Sequence, residues 1–184
     1  MNPTRRATLA MTLSGLALVQ APIASAASAA KLTADGRRAL QKLYADEPRS
    51  RLFGKNARAI LVFPRILKAG FMVGAQTGDG VLLEHGKAAG FYNISAASFG
   101  FQAGGQAFSY ALFFMSNGAL AYIHKSDGWS LGTGPSVVVV DKGQSAEANT
   151  ATLSHDVYAF PFAEKGLMAG IDIKGSKITR IHPK

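Results

Sequence analysis

The stretch Ala59-Ile60-Leu61-Val62-Phe63-Pro64 decides the fold class, together with Gly70-Phe71-Met72-Val73-Gly74-Ala75-Gln76, Gly78-Asp79-Gly80 and Val81-Leu82-Leu83 behind it. A short apolar run closed by Pro reads as a buried strand. Gly-Asp-Gly between two apolar runs reads as a hairpin turn, since Gly and Asp tolerate the left-handed backbone that tight turns need. Downstream the pattern recurs. Gly86 to Ile94, Ser98 to Gln106, Ser109 to Met115, Ala119 to His124, Val137 to Asp141, Val157 to Phe162, Gly166 to Ile173 and Lys177 to Ile181 are strand candidates. Asn117-Gly118 is a further turn signal, and Ala146 to Ser154 reads as a loop or short helix. Roughly ten short strands at regular spacing predict a mainly antiparallel sheet that curls strongly or closes like a barrel. Glycines inside strands then mark bulges, tight bends or close approach of another backbone. Strands this short do not supply the lipid-facing segments of about ten residues that an outer-membrane barrel repeats.

Upstream the period changes from two to 3.6. From Lys31 to Tyr44 there is no Pro, and good helix formers dominate. Leu32, Gly36, Ala39, Leu40 and Leu43 share one helical face, while Lys31, Arg37, Arg38, Gln41 and Lys42 share the other. Thr33 and Asp35 near the start suit a helix N-terminus, and Glu47-Pro48 marks the stop. A second, shorter helix is predicted from Arg49 to about Ala59. The fold class expected is therefore α+β: a curled sheet carrying N-terminal amphipathic helices.

Those helices also hold the charge. The 184 residues contain 20 Lys and Arg against 11 Asp and Glu, a formal net charge of +9. Lys31, Arg37, Arg38, Lys42, Arg49, Arg51, Lys55, Arg58, Arg65 and Lys68 crowd into one segment with only Asp35, Asp46 and Glu47. Residues 69–184 balance, eight against eight. A charge gathered in one place points to a binding surface for anions. Any one cation here could simply be a solvated helix face. As a set on an amphipathic helix they suit an anionic membrane surface, with long stems lying on apolar ground and ends reaching phosphates.

Residues 1–26 read as an export signal. Arg5 and Arg6 precede a mildly apolar run from Ala7 to Val19, then Pro22 and the small-x-small site Ala24-Ser25-Ala26, with Ala27-Ser28-Ala29 as a second site. Thr4-Arg5-Arg6-Ala7-Thr8-Leu9 resembles a twin-arginine signal, with Thr8 where an aromatic is usual, so the twin-arginine and general secretory routes both fit. Either places the remainder, residues 27–184, outside the cytoplasm as one domain, in the periplasm or cell envelope. No Cys is present, which excludes disulfides, thiolate metal sites, a Cys nucleophile and a Cys-linked lipid anchor.

Catalytic patterns are sparse. His85, His124, His155 and His182 form no HExxH and no i, i+4 pair. His155-Asp156 are neighbours, which point to opposite faces of a strand. There is no GxSxG elbow, no GxGxxG opening a helix and no phosphate-binding GxxxxGK[ST]. Asp172 sits between Ile171 and Ile173 in an alternating strand, and Trp129 after Gly128 is expected over a sheet edge or at a surface turn. No catalytic residue, metal site or cofactor is assigned.

Ala59-Ile-Leu-Val-Phe-Pro64 with Ile66, Lys68-Ala-Gly-Phe71, Val73-Gly74 and Gly78-x-Gly80-Val-Leu82 resembles the opening of the SYLF domain family. Ser98-Phe-Gly-Phe-Gln-Ala-Gly104 with Gln106 resembles its glycine–glutamine strand. Tyr158, Lys165-Gly-Leu-Met-Ala-Gly170 and Gly175-Ser-Lys-Ile178 resemble its C-terminal part. The ordered set covers most of the chain from about residue 35 to 181. The resemblance implies a lipid-binding module. Eukaryotic relatives bind phosphoinositides, some bind and bundle actin, and membrane contact is attributed to a basic amphipathic N-terminal segment. Lys31, Arg37, Arg38 and Lys42 occupy the matching region. An exported protein meets neither actin nor phosphoinositides, so the implication carried over stops at anionic phospholipid.

The expected function is non-enzymatic binding of anionic phospholipid at the envelope membrane, with the ten clustered cations as the contact. Two alternatives stay open: an envelope enzyme assembling His85, His124 or His155 with a carboxylate, and a structural envelope protein that associates through strand edges. Nucleic acid is not an expected partner, because export separates the two.

Overall fold

The computed structural model describes residues 28–125, 128–140, 153–165 and 175–184, apart from the side chains at 71–73, 98–104 and 164–165. The expected signal at 1–26 therefore lies outside the described residues, as do the strand expected at 166–173 and most of the loop expected at 146–154. The architecture is α+β, with a strongly curled, mainly antiparallel sheet behind N-terminal helices.

Helix α1 spans Ala29–Asp46 and α2 spans Ser50–Asn56. Leu32, Gly36, Leu40 and Leu43 are buried, the face the periodicity singled out. The N-cap is Ser28, whose hydroxyl accepts from the Lys31 amide at 3.3 Å. Thr33 instead turns its hydroxyl back to the Ala29 carbonyl at 2.7 Å. Glu47 closes the helix before Pro48, with its amide on the Leu43 carbonyl at 2.8 Å.

The strands differ most from the sequence reading. Strand β1 runs unbroken over Ala59–Glu84 and β2 over Lys87–Phe114, paired antiparallel. The turn between them is at His85 and Gly86, with φ of 47° and 76°, not at Gly78-Asp79-Gly80. Three bulges interrupt the ladder, between Phe63 and Ile66, Gly70 and Met72, and Leu82 and Leu83. Twenty-six residues at about 3.3 Å each would reach roughly 85 Å. A domain of this size has a radius of gyration of about 16 Å, so such a strand must bend back on itself.

The two halves meet at two glycines. A Cβ on Gly78 would lie 2.6 Å from the Arg65 carbonyl oxygen, and one on Gly80 would lie 2.5 Å from the Phe63 ring and 2.8 Å from the Val62 carbonyl oxygen. The second half of β1 thus presses on the first, and these glycines serve close approach rather than a turn. Helix α1 lies across both halves: a Cβ on Gly36 would run into Val81 Cγ1 and lie 3.9 Å from Val62 Cβ.

Where α1 crosses, both faces of the sheet are buried. One packs Leu61, Phe63, Ile66, Leu82, Tyr92, Ile94, Phe108, Tyr110 and Leu112. The other packs Ile60, Val62, Val81, Leu83, Phe113 and Phe160 beneath Leu40 and Leu43 of α1 and Phe53 of α2. Alternate residues go to opposite sides, which is why the sequence shows continuous apolar runs there. Strand length is thus no argument against a membrane barrel; the covering of one face by α1 and α2 is, since lipid would have to lie there.

The stretch Ala119 to His124, expected as a strand, lies in helix α3 (Asn117–Lys125). Ser116 caps it, accepting from the Ala119 amide at 3.1 Å, and donates to Asp156 Oδ1 at 2.8 Å. Trp129 belongs to β3 (Trp129–Ser130) and is fully buried in the inner cluster, its indole donating to the Thr133 carbonyl at 2.8 Å. It is not at a surface turn; it lies on β3, an end strand of the sheet, with its ring turned into the core. Strands β4 (Val137–Val139), β5 (Val157–Lys165) and β6 (Lys177–Ile181) join the described sheet, in the order β3-β6-β2-β5-β4, with β1 also on β2. Among the described strands only β4 and β5 run parallel.

Candidate functional site: a groove rimmed by cations

The site forms where two irregularities meet on β2. On one side, Pro64 and Arg65 of β1 face the single residue Ser109. On the other, residues 163 and 164 of β5 face the single residue Phe108. Pro cannot donate to a ladder, so Pro64 falls naturally in the first bulge. Ser109 compensates by donating its hydroxyl to the Pro64 carbonyl at 2.8 Å. In the second bulge Ala163 takes a left-handed conformation with φ 53°, an unusual state for a residue with a Cβ. Two bulges flanking one point of a strand push its neighbours apart and open a groove.

The groove has a volume of about 460 Å³ and is lined by Pro64, Ala107, Phe108, Ser109, Phe162 and Ala163, with Ala39 on the α1 side. Arg38, Lys42 and Arg65 complete the lining. This volume falls in the range of about 300–1,000 Å³ common for small-molecule sites. Arg38 and Lys42 lie one helical turn apart on α1, and Arg65 reaches the same place because its bulge turns it there. The floor is largely apolar, with the Ser109 hydroxyl turned to the Pro64 carbonyl, and the charged lining is cationic.

The ten cations expected as the contact divide on this geometry. Nine are exposed and Lys68 is half-buried. Arg38, Lys42 and Arg65 converge on the groove. Lys31 stands at the start of α1, paired with Asp35 at 2.6 Å. Arg37 donates to the Gly86 carbonyl at 2.8 Å, tying α1 to the β1–β2 turn. Arg49 precedes α2. Arg51 donates to the Tyr44 carbonyl at 3.2 Å and lies over that ring, 5.6 Å from its centroid. Lys55 is in the last turn of α2. Arg58 bridges α2 to β1, and Lys68 lies farther along β1 opposite Gln106.

Two groove cations already have acidic neighbours. Arg38 pairs with Asp35, and Lys42 pairs with Asp46 at 2.7 Å. Their side chains remain 74% and 57% exposed, and exposed pairs of this kind are worth about 0–1 kcal/mol. The Lys31 ammonium beside Asp35 holds its carboxyl below the usual range, with Arg38 adding to the effect. If Arg38 turns to another anion, Asp35 keeps Lys31. Among the described residues Arg65 has no ion pair. Next to it, Leu67 is 47% exposed, an apolar side chain between Arg65 and Lys68.

The apolar face of α1 is spent on the core, so this helix as folded cannot lay that face into a bilayer. Only its basic face and the adjoining β1 bulge are available. The histidines do not form a centre together: His124 meets Glu84 at 2.7 Å, and His155 packs edge-on against Tyr158 at 5.8 Å. Among the described residues no group of three His, Asp or Glu side chains is placed to hold a metal ion. Asp156, the neighbour of His155, is structural. It accepts from Ser116 at 2.8 Å and from the Ser136 hydroxyl at 3.1 Å.

Sequence reasoning missed Ala107, Ser109, Phe162 and Ala163. Pro64 was a usable signal, since Pro inside a strand run implies an edge or a bulge, but nothing local to Ala163 announces its backbone.

A curled sheet with a basic helix over a cation-rimmed apolar groove presents a surface suited to binding, and the His124–Glu84 pair is the one contact under 3 Å between a histidine and a carboxylate among the described residues. Residues 95–182 match the family model described as "Ysc84: Las17-binding protein actin regulator", and this match supports assignment to the SYLF domain family, a family of binding domains. No curated protein matches the chain.

Proposed function

We propose that this protein binds anionic phospholipid at the membrane surface of the cell envelope after export, without catalysing a reaction. The observation that carries the reading is the meeting of Arg38 and Lys42 of α1 with Arg65 of the β1 bulge, beside the exposed Leu67. Each cation held near an anionic surface contributes on the order of 1 kcal/mol and weakens with salt. Leu67 adds a short apolar anchor at the same place. The lipid-binding character of the family supports the reading, and the localised charge selects the anionic headgroup. The remaining cations of α1 and α2 add long-range attraction.

The test is co-sedimentation of residues 27–184 with neutral and with anionic vesicles at low and high salt. Binding confined to anionic vesicles and reduced by salt is expected. Equal binding to both, or none, overturns the proposal. Because the family description speaks of actin regulation, filamentous actin replaces vesicles in a parallel arm. Stronger binding to filaments than to anionic vesicles also counts against the lipid reading.

A further inference from the structure

We infer that the groove under α1 receives one acyl chain of an anionic phospholipid, with the lipid phosphate held by Arg38, Lys42 and Arg65. This rests on the lipid-binding reading above and adds to it a site for a single molecule. A purely electrostatic surface needs no cavity. Here the cations sit on the rim of one, and the wall behind them is apolar: Ala39, Ala107, Phe108, Phe162 and Ala163.

The construction of the groove points the same way. It exists because both neighbours of β2 bulge at Phe108 and Ser109. An irregularity on one flank is common; one on each flank, with a non-glycine residue at φ 53°, costs stability that regular pairing would avoid. Ala39, Ala107 and Ala163 contribute only methyl groups to the wall between Phe108 and Phe162, which leaves space that larger side chains would fill. An apolar cleft open to water on one side is unfavourable until apolar matter enters it. Charge complementarity at its mouth selects an anionic head for that matter. Headgroup and chain then leave the groove's two kinds of lining each satisfied, while Asp35 retains Lys31.

The experiment uses residues 27–184 and lysophosphatidylglycerol kept below its micelle concentration, so that no bilayer is present. Calorimetric titration should show one molecule per protein. Glycerophosphoglycerol, the same head without the chain, should bind at least tenfold more weakly, and decanoate should bind more weakly than the lysolipid. Ala107→Trp, which fills the groove, should weaken lysolipid binding at least tenfold. Ala39→Met narrows it from the α1 side and serves if the first variant does not fold. Undiminished binding by a folded filling variant, equal binding of the chainless head, or preference for decanoate overturns the inference. A wild-type protein that binds anionic vesicles yet takes up no monomer removes the groove and leaves the surface reading intact. One that binds neither removes both.

Discussion

Replacing Arg38, Lys42 and Arg65 together by Gln separates a local site from mere net charge. Three cations near an anionic surface contribute about 3 kcal/mol at about 1 kcal/mol each. Two of them must first loosen their hold on Asp35 and Asp46, which at about 0.5 kcal/mol per exposed pair returns about 1 kcal/mol. The net loss is about 2 kcal/mol, or roughly 30-fold in partitioning onto anionic vesicles. Stability should stay within about 0.5 kcal/mol of the parent, since none of the three is buried. The comparison variant replaces Lys125, Lys177 and Arg180, three exposed cations on α3 and β6. It lowers the net charge equally and should weaken partitioning by no more than about threefold, because surface charges beyond a screening length contribute little. Vesicle sedimentation at physiological salt reads both. Equal losses in the two variants would show that total charge alone matters, and an unchanged groove variant would refute the assignment of the site.

Leu67→Ser should reduce vesicle partitioning about fivefold, from about 1 kcal/mol of apolar contact for a half-exposed Leu, with the urea midpoint unchanged; unaltered partitioning removes the anchor. Gly80→Ala places a methyl against the Phe63 ring and the Val62 carbonyl and should destabilise the fold by about 1–3 kcal/mol in urea titration, whereas a tolerated substitution would mean that the halves of β1 are not pressed together. Asp156→Asn should cost about 1–2 kcal/mol at pH 7. Ser116 first, and Ser136 after it, hold the Asp156 carboxyl below its usual range, so its contribution is present above about pH 4 and is lost as pH falls through the lowered folded value; denaturation at both ends of that window should show the variant and parent converging in acid, and a constant gap refutes the role. Under the proposed export, sequencing of the processed chain should find Ala27 at its start, since cleavage there keeps Ser28 to cap α1, while a chain starting at Ala30 would have discarded the cap.

Helix α1 was legible because its signals are local. A 3.6-residue apolar period, a clustered basic face and Glu47-Pro48 all lie within the helix or beside it, and the structure follows them. The strand content was legible for the same reason, since apolar runs such as Ala59 to Phe63 can only be buried. Turn placement was not. Gly78-Asp79-Gly80 has turn chemistry, but the same lack of a Cβ also lets two segments touch, and Arg65, Phe63 and Val62 lie far enough away in sequence that no local window contains both partners. Ala119 to His124 has strand-like residues, yet Ser116, capped onto the helix and tied to Asp156, makes it α3. Trp129 stands beside a glycine and is nonetheless the largest fully buried side chain, because the curl of the sheet encloses it.

By itself, the sequence determined which residues carry charge, that they gather before residue 69, and that a basic helix precedes a curled sheet; those properties depend on composition and short-range periodicity. Only the tertiary structure decided which of the ten cations act together. Arg65 joins Arg38 and Lys42 because β1 bulges at Pro64 as α1 crosses its folded halves, and the pocket behind them opens because β5 bulges opposite. Bulge positions and strand return are set by packing between residues distant in the chain, and a local reading has no access to that energy.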